Sequence, residues 1–204
     1  MKKYISIEGN IGAGKTTLIN SICKRTDTIS FIKEDINRWT NIVPDNNLLE
    51  LFYYDPVKYG YMLQHCIIMN QIKDIKTLGT KDIIVTDRCP EAASKVFTYT
   101  MHLCGQLTDT EVILFNNLKD LLYTKDLKPS LYIYLRGTPE KCLERIKKRG
   151  RKAEKDVSYE YLEMLHRAHD QWLLHDKSIN VKVIDVSEDI DIDVLTDQVL
   201  ELIN

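Results

Sequence analysis

The sequence predicts an α/β fold, a parallel sheet with helices on both faces, and three observations carry that prediction. Five short runs, β-branched or aromatic and nearly continuous in apolar character, recur along the chain, as strands covered on both faces do. Helix-length segments separate them, and strands that alternate with helices give a doubly wound parallel sheet. A glycine-rich turn joins the first run to the first helical segment. No internal repeat or low-complexity linker divides the 204 residues, so 1–204 reads as a single domain with one sizeable core.

The elements follow in order. KKYISIEG (2–9) alternates into a short buried strand through Tyr4, Ile5 and Ile7, and Thr17, Leu18, Ile19 and Ile22 then take helical spacing. TISFIKE (28–34) is the second strand. The segment 55–76 opens on Asp55-Pro56, a helix-start signal, and carries a stripe of Tyr59, Met62, Leu63, Cys66, Ile67 and Met69. DIIVTD (82–87) and SLYIYLR (130–136) are the third and fourth strands. TPEKCLERIKKRG (138–150) has a Thr cap, a Pro at the first helical position, Glu in the first turn and a terminating glycine. A long helix over 158–176 precedes the fifth strand, VKVIDV (181–186).

Within the glycine-rich turn, Gly9-x-x-x-x-Gly14-Lys15-Thr16 is the phosphate-binding pattern when a strand precedes it and a helix follows. Residues Gly9, Asn10, Ile11, Gly12, Ala13 and Gly14 can curl successive backbone N–H groups around one anion, and the helix N-terminus at Lys15, Thr16 and Thr17 adds partial positive charge. Lys15 is placed to reach the terminal phosphates and the Thr16 hydroxyl to ligate Mg²⁺. ATPases, GTPases and small-molecule kinases all remain open at this point.

Composition narrows the class. A formal net charge of −2 argues against a nucleic-acid polymer as partner. Five cysteines without a C-x-x-C pair suit a reducing compartment. No apolar run approaches membrane-spanning length, and the phosphate pattern starts within ten residues of Met1, so a cytoplasmic protein without a targeting segment or membrane partner is expected, with nuclear residence left open. Lys147 to Asp156 is the densest charge run.

The acceptor must be read from strand ends, because ligands of such sheets lie beyond the carboxyl ends of the strands. The second strand ends at Glu34, a candidate general base for an attacking hydroxyl, with Trp39 following. The third ends in TDRC, where Asp87 suits a Mg²⁺ shell and Arg88 suits charge developing on a transferred group. His166 and His169 read as surface or packing residues rather than metal ligands.

Through nearly the whole chain the sequence resembles the deoxyribonucleoside kinases that phosphorylate deoxycytidine, deoxyguanosine, thymidine and their analogues, the broad-specificity insect type included. The resemblance rests on GNIGAGKTT, KEDINRW, LLELFYYDP, Gln64, DRC and RGTPEKCLERIKKRGRKAE. It implies a P-loop kinase fold with a five-stranded parallel sheet and an arginine-rich lid at about 145–156. It also implies ATP and Mg²⁺ as cofactors, a homodimer formed through a helical face, and transfer to the sugar 5′-hydroxyl. By the same resemblance Glu34 is the base and Arg88 its partner, Tyr53 and Glu154 bind the 3′-hydroxyl, and Gln64 reads the base. Phe97 stacks on that base, Trp39 walls the pocket, and Arg145, Arg149 and Arg151 close over the phosphates.

The sequence also departs from the family pattern. Asp87 and Cys89 stand where cellular members have Glu and Ser. Ala93 stands where deoxycytidine-preferring members carry an acid, which tilts the expectation toward pyrimidines including thymidine, and Gln71 stands at a usually apolar position. A thymidylate-type nucleoside monophosphate kinase is the nearest alternative, opposed by the like-charge repulsion between Glu34 and a phosphorylated acceptor. A non-catalytic nucleotide-binding switch is the alternative from another class.

Overall fold

The computed structural model describes residues 3–33, 38, 42, 47–77, 81–151 and 154–203. Its centre is a five-stranded parallel sheet in the order β2-β3-β1-β4-β5. The strands are β1 (Lys3–Glu8), β2 (Ile29–Ile32), β3 (Ile83–Asp87), β4 (Leu131–Arg136) and β5 (Val181–Asp185). All five lie where the apolar runs put them. The first strand made is the middle strand of the sheet, with Ile7 opposite Asp87 on one side and Ile5 opposite Leu131 on the other.

In chain order the helices are α1 (Lys15–Arg25), α2 (Leu48–Tyr54), α3 (Pro56–Thr77), α4 (Pro90–Ala92), α5 (Tyr99–Leu103), α6 (Asp109–Leu122), α7 (Pro139–Arg149), α8 (Tyr159–Leu173) and α9 (Ile192–Ile203). A π-helical turn, Ala93–Thr98, joins α4 to α5. On one face of the sheet α1, α7 and α9 bury Leu18, Ile22, Cys142, Ile146, Leu195 and Val199 against Ile5, Ile7 and Ile133. On the other face α3, the π-helical turn and α8 bury Ile68, Ile72, Val96, Leu165 and Trp172 against Tyr4, Tyr132 and Tyr134.

The caps of α7 are those its sequence announces. The Thr138 hydroxyl accepts from the Lys141 N–H, Pro139 opens the helix, and Gly150 closes it at φ +66°. The stripe expected on α3 is corrected. Met62 and Met69 are half exposed, at 52% and 50%, and the buried line is Gly60, Leu63, Gln64, Ile68, Ile72 and Ile75. The helix serves two clusters in turn: its first half packs around Phe52 and Met101, its second half against the sheet. A single stripe drawn along its length therefore fails.

Two polar links hold α8 where the site needs it. Arg136 at the end of β4 pairs with Asp170 through Nε–Oδ1 at 3.0 Å and Nη2–Oδ2 at 2.8 Å, the forked geometry that makes arginine–carboxylate pairs specific. The Asn10 amide in the glycine-rich loop donates to the Leu162 carbonyl at 2.8 Å, 152 positions away. His169 is fully buried, stacks on Tyr134 and bonds the Leu165 carbonyl through Nδ1 at 2.7 Å. Burial pushes its pKa down to about 3, so it is a neutral packing residue.

Candidate active site

The loop between β1 and α1 is built by its glycines. Gly14 precedes α1 at φ +95°, a conformation glycine adopts without the Cβ penalty, and no side chain caps the helix. The first N–H groups of α1 are thus left for a ligand, at the positive end of the helix dipole. Gly12 is required for another reason: a Cβ there would lie 2.4 Å from the Cys142 carbonyl oxygen of α7. The Lys15 ammonium is folded against the loop, donating to the Gly9 and Asn10 carbonyls at 2.9 and 2.8 Å. The loop carbonyls thereby keep the cation beside the N–H cradle.

Two cavities meet at this loop, sharing Gly12, Lys15, Thr16 and Arg149. One opens toward α7 and the stretch after β5, where Ala13, Gly14, Thr17, Arg145 and Lys148 line it. Arg145 is held there by the Glu188 carbonyl at 3.0 Å and Asp189 at 3.5 Å. The other runs between α2, α3, the π-helical turn and α8, and is walled by Ile11 of the loop and by Leu49, Phe52 and Ile67, the last three not expected at a site beforehand. Tyr53, Gln64, Gln71, Asp87, Arg88, Ala93, Phe97, Arg151 and Glu154 line this second cavity. Glu34, Trp39 and their roles lie outside the described residues.

Gln64 is the most informative of these side chains. It is 4% exposed, and among the described residues its Nε2 meets only the Met101 sulfur at 3.6 Å and its Oε1 has no partner. A buried amide left half satisfied costs on the order of 1–3 kcal/mol, so folding alone does not account for it. The Gln71 Oε1, seven residues and two turns further along α3, is also unpartnered. Two amides on one helix face thus present hydrogen-bonding groups beside the apolar wall of Leu49, Phe52 and Ile67, a usual construction of a small-molecule site.

At the cavity's inner end the Thr16 hydroxyl donates to Asp87 Oδ2 at 3.0 Å, while the buried Oδ1 has no hydrogen-bond partner. A hydroxyl beside a carboxylate with a spare oxygen is a donor set that suits a hard divalent cation completed by water and phosphate oxygens. Arg88 follows in the left-handed region at φ +65°, the sole non-glycine there among the described residues. That conformation costs on the order of 1–3 kcal/mol and concentrates at functional sites. It places the guanidinium 5.0 Å from the Phe97 ring centroid and 3.4 Å from the Gly9 carbonyl. The π-helical turn presents Ala93 and Phe97 to the same cavity, a common use of such turns.

At the mouth, the Glu154 carboxylate is buried between two arginines: Arg151 donates to Oε1 at 2.7 Å and Arg149 donates to Oε2. The Tyr53 phenol is raised by burial and then by the Glu154 charge. Tyr161 on α8 also faces this space, its phenol raised by burial and by Tyr53. It was not foreseen, because its spacing on α8 reads as an ordinary core position. Glu8, the last residue of β1, was likewise passed over although a carboxylate in a buried strand is unusual. Fully enclosed, it is pushed up to about 7 by burial, against the hydrogen bonds from Ser6 and Cys89.

With this geometry in place, comparisons with known proteins agree. The Deoxynucleoside kinase family profile matches residues 5–204. Deoxycytidine kinase 2 of Gallus gallus is 31% identical over 92% of this chain and 83% of its own length. Thymidine kinase 2, mitochondrial, of Homo sapiens is 30% identical over 85% of this chain and 65% of its own length. Deoxyguanosine kinase, mitochondrial, of Xenopus laevis is 30% identical over 92% and 82%. A phosphate loop between two cavities, carried on a five-stranded parallel sheet, and a match along almost the whole length have one meaning: the chain belongs to the deoxynucleoside kinase family, has the P-loop kinase fold and is a phosphotransferase.

Proposed function

We propose that this enzyme transfers the terminal phosphoryl group of ATP to the 5′-hydroxyl of a pyrimidine deoxyribonucleoside, thymidine, deoxycytidine or both. The observation that carries the reading is the pair of cavities meeting at Lys15 and Thr16, one of them lined by the half-satisfied amide of Gln64. The donor takes the cavity beside α7, with the loop N–H groups of Gly9 to Thr17 and Lys15 on its phosphates. The acceptor takes the other, with its base edge on Gln64 and its ring face toward Phe97.

Thr16 and Asp87 hold Mg²⁺, which supplies charge neutralisation on the phosphates. Glu34 accepts the proton of the 5′-hydroxyl, and Arg88 fixes that hydroxyl from its left-handed corner. Tyr53 and Glu154 bind the sugar 3′-hydroxyl. Arg145, Arg149 and Arg151 act as the lid, Arg149 and Arg151 exchanging their Glu154 contact for phosphate oxygens. Pyrimidine preference rests on Ala93, which puts no acid beside the base. The whole chain is one such domain, in the cytoplasm. It forms a homodimer through a helical face, for which the exposed Met62, Met69, Ile113 and Leu114 of α3 and α6 are available. Among the described residues no helix is long and apolar enough to cross a membrane.

The test is a coupled assay with Mg·ATP against thymidine, deoxycytidine, deoxyadenosine, deoxyguanosine and thymidine monophosphate in parallel. Turnover of thymidine or deoxycytidine at ten or more times the purine rate is expected. Purine preference overturns the base assignment, and turnover of the monophosphate alone overturns the acceptor assignment.

A further inference from the structure

The parallel ladder between β1 and β3 ends at a corner. The Arg88 N–H still donates to the Ile7 carbonyl at 3.0 Å, but the chain then turns away through φ +65° and enters α4 at Cys89. The Cys89 N–H is buried, beyond the reach of the ladder, and would be an orphan donor. The Glu8 side chain takes it. Oε1 accepts from Cys89 N at 3.0 Å and from the Ser6 hydroxyl at 2.6 Å, so one carboxylate oxygen stands in for a missing backbone carbonyl. The Ser6 hydroxyl is held in turn by Thr86 at 3.3 Å, and Thr86 by Tyr4 at 3.3 Å. Every member of this chain is buried beneath the loop.

We propose that Glu8 is a positioning residue for phosphoryl transfer: by taking the Cys89 N–H it fixes the Asp87–Arg88 corner against the phosphate loop. Three features point the same way. The corner is strained, and a strained backbone persists only where its surroundings over-determine it. Glu8 lies next to Gly9, whose carbonyl Arg88 contacts, so one residue anchors both sides of that contact. Finally, packing alone would be met by an aliphatic side chain, as Ile5 and Ile7 meet it on the opposite face, so the carboxylate is there for its hydrogen bonds. A carboxylate here has no packing rationale. The proposal rests on the kinase reading for the consequence in catalysis, but not for the clamp itself.

The test therefore has two readouts. In steady-state assays Glu8→Leu, which cannot accept a hydrogen bond, is expected to lower kcat about 30- to 100-fold, the scale of an ångström-level misplacement, with the KM for ATP within about threefold of the parent. Glu8→Gln keeps an acceptor oxygen and is expected to restore kcat to within about fivefold. Amide hydrogen exchange at Cys89, which needs no turnover, is expected to accelerate at least tenfold in Glu8→Leu and to stay near the parent rate in Glu8→Gln. Unchanged exchange at Cys89 in Glu8→Leu overturns the clamp, whatever the kinetics. Accelerated exchange with unchanged kcat overturns its role in catalysis. Should Glu8→Leu fail to fold, Glu8→Gln decides alone, since a kcat as low as one-hundredth of the parent would mean that the charge and not the acceptor is what matters. A parent enzyme inactive on every nucleoside defeats the kinase reading and leaves the exchange result standing.

Discussion

The two faces of the central sheet are built from the same strands but by opposite rules. From β1, Ile5 and Ile7 enter an aliphatic cluster with α1 and α9, whereas Tyr4, Ser6 and Glu8 enter the opposite face among tyrosines, Cys89 and Glu91. Within the aliphatic cluster the Thr196 hydroxyl is satisfied twice over, meeting both the Ile192 carbonyl at 2.6 Å and Ser21 at 2.8 Å. On the other side, among the described residues, Glu8, Gln64, Gln71, Glu91 and His169 each keep a buried atom without a hydrogen-bond partner. Such atoms lower stability and are retained where they do something else. One face holds the fold together, and the other carries groups waiting for a ligand or a proton.

That contrast is open to direct attack. The largest effect is expected from Leu18→Ala, which opens a cavity in the aliphatic cluster and should cost about 3–4 kcal/mol in urea unfolding while KM values stay within twofold. A shift in KM comparable to the stability loss would break the division of labour. Gln64→Leu should do the reverse. It is expected to lower kcat/KM for the nucleoside about 100-fold, or ~3 kcal/mol, and to leave stability unchanged or raised by up to about 1 kcal/mol, read by the same two assays.

Acid sharpens the comparison through the buried groups of the polar face. His169 has its pKa lowered from 6.5 to about 3. Between those values the unfolded chain holds a proton the folded one refuses, so stability falls as pH falls. Glu8 is raised from 4.5 to about 7. There the folded chain holds the extra proton, so stability rises as pH falls from 7 to 4.5. From pH 6.5 to 4.5 the two slopes oppose each other. Glu8→Gln removes one of them, and its stability relative to the parent should drop by roughly 2–3 kcal/mol across that window, at 1.36 kcal/mol per unit, in denaturant titrations at each pH. Parallel curves for the two proteins would mean that Glu8 does not titrate. The smallest effect belongs to Thr196→Val on the aliphatic face, expected to cost about 1 kcal/mol or less because the hydroxyl there is an accessory. A loss above about 2 kcal/mol would show that this face, too, depends on its polar contacts.

The sequence was most legible where structure is local. Strand runs, the Thr138–Pro139 start and Gly150 stop of α7, and the glycine-rich loop each depend on residues within one turn or one pleat, and each lies where it was expected. The stripe on α3 was misread because its partner changes midway from the α2 cluster to the sheet, and periodicity carries no information about that change. The helices α6 and α9 were passed over, although α6 starts on a capping box, Thr108 with Glu111, that is visible in the sequence. The π-helical turn, the inward aim of Tyr161 and the reach of Glu8 to Cys89 follow from how distant segments meet, 81 positions apart in the last case. Spacing rules cannot register such meetings.

The bond from Asn10 to Leu162 has a consequence for the order in which the molecule can be made. The loop leaves the ribosome ahead of the other four strands, on a strand destined for the middle of the sheet. Its lateral neighbours, β3 and β4, come roughly 80 and 130 residues later, and the carbonyl that anchors Asn10 is later still. Domains of this kind gain their long-range contacts late. A chain released before residue 162 therefore owns the complete glycine-rich motif but not the brace on its second residue. Possession of the motif and possession of a braced loop are separated by the synthesis of 152 positions.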